Sequence, residues 1–445
     1  MNVLYPTPTT SDLSDHLGLP ISALPTPACI LDLPTIRHNC RRLPLLAASL
    51  GVQFRPHTKT HKTLSLTRLQ LDGLGHGNVI VSTVAEAEAM EPLVEEGVVS
   101  GILYGFPLPP SARERLLQLR ERHPELDVTV LVDHVDQLPK DGKGWAVFVK
   151  LDDGYQRAGV KAESPELLVL LKRIKETGAE LRGFYSHAGH SYGAKTAGEA
   201  VEFLAAELET VVKGMGMLGG LSVSEGDGAF KAKGLVLSVG ATPTALAAEG
   251  MRERIKNIQE RGWIVELHAG VYTTMDLQQL TTRPESVTSE SSESASDTKA
   301  ESMTVRALDE GDIAITVLAE VASVYPDRGE ALLAIGSTGL GREPGRIPGW
   351  GVVTGWRESE PVAEPSVSSR WDGKQKSGWI VGRISQEHAV LTKDPAFRGG
   401  PMELKVGQKV RIWPQHACIA GNCYGWYYVV EEGRVVDIWI RCRGW

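Results

Sequence analysis

The stretch Gly51-Val52-Gln53-Phe54-Arg55-Pro56-His57-Thr58-Lys59-Thr60-His61-Lys62 decides how the chain is interpreted. Its first four residues are a short apolar run that predicts a buried β-strand. Lys59 follows shortly after, and a lysine at the carboxyl end of a barrel strand can face a pocket instead of water. A desolvated lysine loses its proton easily and can form a Schiff base with a carbonyl, as it does with pyridoxal phosphate. On these residues alone, a solvated basic loop is an equally good interpretation.

Seven further strand patterns follow, and amphipathic stretches such as Glu166–Thr177 and Ala200–Met215 separate most of them. The eight predicted strands are Val52–Arg55, Asn78–Ser82, Gly101–Gly105, Val128–Val132, Ala146–Leu151, Leu181–Tyr185, Leu235–Val239 and Trp263–Leu267. This alternation predicts an α/β fold with a parallel (β/α)8 barrel over residues 34–276. An open doubly wound sheet is the alternative, but it usually has fewer strands and a glycine-rich turn after the first, which this chain lacks.

The chain changes character after the barrel. β-rich runs separated by Gly and Pro predict a second, mainly antiparallel β domain formed by residues 1–33 and 304–445. Its expected strands are Cys29–Leu33, Ala314–Val324, Ala331–Ile335, Trp379–Ile384, Val406–Trp413, Gly425–Val430 and Val435–Ile440. The Ser/Glu-rich segment 281–303 has almost nothing apolar to bury, so it is predicted to be a disordered insertion. A second loose loop spans Arg357–Ser377.

Composition excludes several classes of protein. The net charge of −8 argues against a nucleic-acid or anionic-membrane surface. No apolar run approaches the roughly 20 residues needed to span a bilayer, and the first residues lack the basic and apolar parts of a secretory signal. Five cysteines in 445 residues do not form a disulfide framework. We therefore expect a cytoplasmic protein with no nucleic-acid and no membrane partner.

Polar residues follow five of the predicted strands, at the end of the barrel where such folds have their active sites. Arg157 can donate hydrogen bonds to a phenolate or a carboxylate, although a surface salt bridge explains it equally well. His187 is expected to stack or to hydrogen-bond rather than to bind a metal. The small-residue turn Gly240–Thr244 predicts a phosphate site, and a simple helix start at Thr242 is a compatible alternative. The same rim also carries Tyr185, Tyr192 and Tyr272, and Tyr272 is a predicted cofactor contact because it follows the eighth strand.

A third signal lies near the C-terminus, in Pro414-Gln415-His416-Ala417-Cys418. In an extended chain residues i and i+2 point the same way, so His416 and Cys418 can bind one ion. Imidazole and thiolate together suit zinc, and two protein ligands leave positions open, as at a catalytic metal. Cys423 is a candidate third ligand. The bare pattern is weak, and a buried half-polar pair is the better explanation when these residues are taken alone.

Together these signals resemble the eukaryotic-type D-serine dehydratases, which are alanine-racemase-like, fold-type III pyridoxal-phosphate enzymes related to D-threonine aldolase. The resemblance extends from about Thr26 to Trp445. The segments that carry it are Arg55–Lys62, Gly183–His187, Gly240–Thr244, Ser385–His388, Pro414–Cys418 and Arg443–Trp445. It implies a Schiff base at Lys59, phosphate contacts near Gly240 to Thr242, aromatic contacts from Tyr185 and Tyr192, and zinc on His416 and Cys418.

The resemblance implies a lyase that eliminates water from D-serine, giving pyruvate and ammonia. Retro-aldol cleavage of D-3-hydroxyamino acids is the alternative activity, and Cys418 favours the dehydratase because the related aldolases tend to have aspartate at that position. A non-enzymatic pyridoxal-phosphate-binding protein is a third interpretation, but such proteins lack the second domain. His190 stands where a small polar residue is expected, which leaves the preferred substrate open. We also expect a homodimer that acts on a small D-amino acid.

Overall fold

The computed structural model describes residues 8–219, 234–282, 308–355 and 376–445. Strand β1 (Ala28–Asp32) precedes a parallel barrel. The barrel strands are β2 Gln53–Pro56, β3 Asn78–Val81, β4 Gly101–Pro107, β5 Asp127–Val132, β6 Ala146–Asp152, β8 Glu180–Tyr185, β9 Val236–Val239 and β10 Ile264–Ala269, while β7 Val160–Lys161 pairs only with β6. They are ordered β2-β10-β9-β8-β6-β5-β4-β3. A parallel bridge between His57 and Ile80 brings the two outer strands together, so the barrel is nearly closed.

Helices follow most of the barrel strands. They are α1 Leu33–Leu50, α2 Leu64–Leu71, α3 Val84–Ala89, α4 Glu91–Glu95, α5 Arg113–Arg122, α6 Pro165–Thr177, α7 Ala197–Gly219, α8 Thr242–Leu246, α9 Arg252–Gln259 and α10 Leu277–Leu280. Local sequence sets their ends, as α6 shows. The Ser164 side chain accepts a hydrogen bond from the Leu167 N–H at its start, and Gly178 ends it in the left-handed region at φ 76°. The chain then enters β8 directly.

The second sheet joins β1 to strands from the C-terminal part of the chain. These are β11 Ile315–Tyr325, β12 Glu330–Leu333, β13 Gly351–Thr354, β14 Lys376–Ile384, β15 Ala389–Lys393, β16 Lys409–Pro414, β17 Trp426–Glu431 and β18 Arg434–Ile440, with two short helices, α11 Ser337–Leu340 and α12 Ala417–Asn422. Strand β12 pairs with both β15 and β11, which closes six of these strands into a ring. Strand β1 pairs antiparallel with β11 and parallel with β17.

Apolar side chains fill the interior of the parallel barrel. Phe148 and Tyr185 pack there with Ile80, Leu103 and Leu131, and none of the five is more than 5% exposed. Burial of an aliphatic or phenylalanine side chain of this size contributes roughly 1.5–3 kcal/mol to stability. A filled interior makes the barrel a firm scaffold for the groups at the carboxyl ends of its strands.

The eight barrel strands predicted from the sequence are confirmed, and so is the antiparallel second sheet. The link between β5 and β6 holds only the 3-10 turn Val135–Gln137, as expected. The sequence pattern does not predict β13 or β15, which are only four and five residues long. Most of the predicted insertion 281–303 and of the loop Arg357–Ser377 lies outside the described residues. Of the helices that are described, none is long and apolar enough to cross a membrane.

Candidate active site

The turn after β2 carries Lys59. Thr58–Thr60 form a single 3-10 turn, and His57 caps it because its Nδ1 accepts a hydrogen bond from the Lys59 backbone N–H at 3.3 Å. Burial lowers the pKa of Lys59, Cys418 opposes this shift, and the positive charge of Arg157 adds to it. A neutral amine is therefore available on this turn at a lower pH than an exposed lysine would allow.

Glu86, on helix α3 after the neighbouring strand β3, holds the same turn. Its carboxylate is 1% exposed, accepts a hydrogen bond from the Ser82 N–H at 2.8 Å, and forms an ion pair with Lys62 Nζ at 2.9 Å. Lys62 is therefore engaged, whereas Lys59 makes no ion pair within the described part of the chain. The surroundings of the two lysines differ, and Lys59 is the one available for covalent chemistry.

The loops after β8 and β9 are fastened to each other. The carbonyl of Gly240 accepts a hydrogen bond from His187 Nδ1 at 2.6 Å, which fixes the proton on Nδ1. Glu207, on α7, accepts hydrogen bonds from the N–H groups of Ala188 at 2.7 Å and Gly240 at 3.0 Å. Burial raises the pKa of Glu207 to about 8. One buried carboxyl group thus holds together the two loops in which the sequence places cofactor contacts.

The turn after β9 fits a phosphate group. Gly240 has a φ of 143°, and a Cβ there would lie 2.2 Å from the His268 carbonyl oxygen, so only glycine is accommodated. Thr242 is fully buried, and its hydroxyl has no partner in the described structure. Helix α8 begins at Thr242 with Ala241 as its N-cap and is only five residues long. The donors that this turn offers are therefore a hydroxyl and backbone amides, with little contribution from a helix dipole.

Four polar side chains form a hydrogen-bonded chain between neighbouring barrel strands. Arg55 Nε pairs with Glu266 Oε2 at 2.9 Å, and Ser238 Oγ donates to Glu266 Oε1 at 2.8 Å. His268 Nδ1 lies 3.0 Å from the same serine oxygen. The ring of His268 stacks on Tyr185 with centroids 4.2 Å apart and an interplanar angle of 10°. Tyr185, a predicted cofactor contact, is thus covered on one face by this histidine.

The His416–Cys418 pair lies where β16 gives way to α12. His416 is the N-cap of α12 and Cys418 lies in the first turn of that helix. The expectation that both residues lie in extended chain is therefore wrong. Burial opposes both shifts, yet mutual hydrogen bonding and charge raise the pKa of His416 to about 9 and lower the pKa of Cys418. The Thr60 hydroxyl contacts Cys418 Sγ at 3.2 Å, which brings the thiol beside the Lys59 turn.

The structure does not support Cys423 as a third ligand. Its thiol lies at the end of α12 and points to the carbonyl oxygens of Ile419 at 3.6 Å and Ser337 at 3.9 Å. Among the described residues there is no group of three or more His, Cys, Asp or Glu side chains that could hold a metal. The donor set of His416 and Cys418 is nevertheless of the soft kind that suits zinc, with further coordination positions left for water or substrate.

Asp276 connects the end of the barrel to the His416–Cys418 segment. It is fully buried, caps α10 through the Gln279 N–H at 2.9 Å, and accepts a hydrogen bond from the Ala417 N–H at 2.8 Å. Burial raises its pKa, and the neighbouring His416 partly opposes this. The sequence reasoning missed Asp276, because a lone N-cap aspartate is a common local signal that gives no hint of a partner 141 residues away.

Arg441 makes a second connection between the domains. It is 1% exposed, and its guanidinium donates to the carbonyls of His61 at 3.1 Å, Tyr424 at 3.1 Å and Gly421. The next residue, Cys442, donates its N–H to the carbonyl oxygen of Lys62 at 2.8 Å. The C-terminal segment therefore links the lysine turn to the helix that carries Cys418.

The other predicted site residues are Tyr192, Arg157 and Tyr272, and their surroundings differ. Tyr192 lies close to Cys418 and Asp276, because burial raises the pKa of its hydroxyl and these two neighbours add to the shift. Arg157 is exposed, with its guanidinium 5.1 Å from the centre of the Tyr155 ring. The structure does not bring Tyr272 to this group. It is fully buried and packs edge-on to Phe54 in the core outside the barrel interior, on a turn that contacts α1.

Comparison with known proteins agrees with this architecture. Residues 31–250 match the alanine racemase N-terminal domain, and residues 314–430 match the serine dehydratase domain. The D-serine dehydratase of Schizosaccharomyces pombe is 32% identical, over 97% of this chain and 94% of that protein. The D-serine dehydratase of Saccharomyces cerevisiae is also 32% identical, over 97% of this chain and 99% of that protein.

Solved structures show the same fold. The D-threo-3-hydroxyaspartate dehydratase of Delftia sp. HT23 superposes with a TM-score of 0.73 at 26% identity, covering 96% of this chain and all of that one. The D-threonine aldolase of Filomicrobium marinum superposes with a TM-score of 0.69 at 22% identity, over 96% of this chain and 97% of that one. Given its near full-length similarity to two dehydratases, the chain belongs to the D-serine dehydratase family of lyases.

Proposed function

We propose that this protein dehydrates D-serine to pyruvate and ammonia, with pyridoxal phosphate attached to Lys59 and zinc held by His416 and Cys418. The observation that carries the proposal is the meeting of the two sequence motifs. Thr60, next to Lys59, contacts Cys418 Sγ at 3.2 Å across the boundary between the domains. This contact supports the proposal, because it brings the turn of the half-buried Lys59 beside two side chains of the kind that suits zinc.

The barrel residues account for cofactor binding and proton transfer. Pyridoxal phosphate, when bound, supplies an electron sink for the charge that develops on the substrate α-carbon. The turn at Gly240 and the unpaired hydroxyl of Thr242 are suited to hold its phosphate. Lys59 is the base for the α-proton, because burial lowers its pKa and favours the neutral amine.

The second-domain residues account for loss of the hydroxyl group. Hydroxide is a poor leaving group, and a zinc ion supplies a Lewis acid for it. His416 and Cys418 provide nitrogen and sulfur, the ligand atoms that zinc prefers. A D-threo-3-hydroxyaspartate dehydratase has been solved as a cysteine-to-alanine mutant in a metal-free form, which supports a metal in this branch of the fold.

Product analysis tests the proposal. The purified protein, supplied with pyridoxal phosphate and zinc, is given D-serine, D-threonine or D-threo-3-hydroxyaspartate, and 2-oxo acid, ammonia, glycine and aldehyde are measured. Pyruvate and ammonia in equal amounts from D-serine are expected. Glycine and an aldehyde as the main products would instead assign retro-aldol cleavage. Preferred release of a 2-oxo acid from the hydroxyaspartate would keep the reaction and change the substrate.

A further inference from the structure

His268 ends a chain of hydrogen bonds that fixes where its proton lies. Arg55 pairs with Glu266, so that carboxyl group is an ionised acceptor. Ser238 has one hydroxyl proton and donates it to Glu266. The serine oxygen must therefore accept from His268 Nδ1, 3.0 Å away, which places a proton on Nδ1. All four residues are at most 7% exposed, so water does not compete for these bonds.

The other ring nitrogen of His268 is left as a bare acceptor. Burial, together with the positive charges of Lys150, Lys59 and Arg55, keeps the pKa of His268 well below its usual value, although the Gly240 backbone partly opposes the shift, so the ring is neutral. With Nδ1 protonated, Nε2 carries only a lone pair. This atom is enclosed and has no hydrogen-bond partner within the described residues. A buried acceptor without a donor is unfavourable, which points to a donor supplied by a bound molecule.

The chemistry of pyridoxal phosphate offers one such donor. Its aldehyde carbon is the group that reacts with Lys59, while its phosphate and its phenolate oxygen are acceptors. Away from the carbon that reacts with Lys59, only its ring nitrogen, when protonated, presents an N–H to a lone pair. We propose that His268 Nε2 accepts a hydrogen bond from the protonated ring nitrogen of the cofactor, and that Ser238 and Glu266 hold the imidazole in the tautomer this requires. This inference rests on the proposed function.

The arrangement has a clear consequence for reactivity. A protonated ring withdraws electrons more strongly than a neutral one. A neutral imidazole accepts a hydrogen bond from the protonated ring nitrogen and leaves the proton on the cofactor. Glu266 stabilises the positive charge of the cofactor ring through Ser238 and His268 rather than by direct contact. Tyr185, stacked on His268 at 4.2 Å, keeps the imidazole plane in place. His268 would thus set the strength of the electron sink.

Nitrogen NMR on the protein with and without cofactor tests the inference. In the apo protein labelled with 15N-histidine, His268 is expected to show a protonated Nδ1 and an unprotonated Nε2. In holoenzyme prepared with cofactor labelled with 15N in the ring, the ring nitrogen is expected to show a bonded proton. His268→Phe keeps a flat ring against Tyr185 but has no lone pair. It should lose that proton signal and weaken cofactor binding by about tenfold, as expected for one lost buried hydrogen bond.

A matched control is His123→Phe, at another buried histidine, whose partner is Glu91. It should leave both signals unchanged. An unprotonated ring nitrogen in wild-type holoenzyme, or an unchanged signal and affinity in His268→Phe, would overturn the inference and assign the lone pair to a buried water. Borohydride reduction separates this from failure of the proposed function. Cofactor trapped on Lys59 with an unprotonated ring overturns only the role of His268, whereas no cofactor on Lys59 overturns both.

Discussion

The two sides of the candidate active site are held in different ways. On the barrel side, Lys59 stands on a turn supported by Glu86, and the loops at His187 and Gly240 are fastened by the buried Glu207. On the second-domain side, the segment around the His416–Cys418 pair reaches the barrel through single hydrogen bonds and through Ala417, which packs in the apolar core that the barrel shares. The hydrogen bonds join Thr60 to Cys418, Asp276 to Ala417, Gln278 to Gln415, Arg441 to His61, and Cys442 to Lys62. On the proposed function, this difference predicts that cofactor attachment depends on the barrel side and persists when the second-domain side is disturbed.

The strongest test of the barrel side is Lys59→Ala. Without the amine, no covalent link to the cofactor forms and the α-proton has no base, so we expect activity to fall by about a thousandfold or more. Borohydride reduction followed by peptide mass analysis should find the cofactor on Lys59 in the wild type and on no lysine of the variant. Lys161→Ala, at an exposed lysine on β7, is the control. An adduct on Lys62 in the wild type would contradict the assignment.

Disturbing the second-domain side should stop elimination of the hydroxyl group while cofactor attachment continues. Cys418→Ser removes the soft ligand, so zinc binding should weaken and pyruvate formation should fall by roughly a hundredfold, while the cofactor stays attached to Lys59. A chelator should give the same result in the wild type, and added zinc should reverse it. Metal analysis and borohydride trapping on the same samples measure the two sides independently. Full activity in chelated, zinc-free enzyme would show that the elimination needs no metal.

The sequence predicts the barrel side well and the connections between the sides poorly. Apolar strands and the position of Lys59 after the first of them are local patterns, and these suffice for the barrel. Glu207 and Arg441 are single polar residues whose partners lie 33 and 380 residues away, so no local pattern marks them. Tyr272 shows the opposite error. It follows a barrel strand, as an active-site residue would, but its ring packs into the core beside Phe54.

Arg441→Met should shift the Lys59 turn relative to the helix that carries Cys418, while both remain folded. The variant leaves the carbonyls of His61 and Gly421 without their donor, at a cost of about 1–3 kcal/mol. We expect kcat to fall by about tenfold with little change in KM, and partial recovery in Arg441→Lys. Arg411→Lys is the matched control, a buried arginine of the same domain that bonds to Thr316. Equal losses of kcat in the two lysine variants would reduce Arg441 to a general structural role.

Glu207 makes the stability of the barrel side depend on pH. Its pKa is about 8 in the folded protein, because burial disfavours the charge, and near 4.5 when the chain unfolds. Between these values the unfolded chain binds fewer protons, so stability contributed by the neutral group is lost as the pH rises from about 4.5 to 8. Glu207→Gln, which keeps an oxygen for the Ala188 and Gly240 N–H groups, should melt with less change across this range. The measurement is the melting temperature of the wild type and the variant at several pH values between 5 and 8. An equal change of melting temperature with pH in both proteins would contradict this expectation.

The smallest effect is expected from shortening the connection between the two sides. The Ser/Glu-rich segment lies between Thr282 and Leu308, which are each 1% exposed and belong to the folded domains. The segment itself has almost no apolar side chain to bury, so it contributes little to either core. Deleting residues 286–301 keeps short flanks as a link, and the entropy of closing a loop changes only slowly with its length. Activity and melting temperature should therefore stay close to those of the full chain. A matched variant in which residues 286–301 are replaced by a Gly/Ser linker of equal length separates length from sequence. A loss in both variants would show that these residues act on the site through their own side chains.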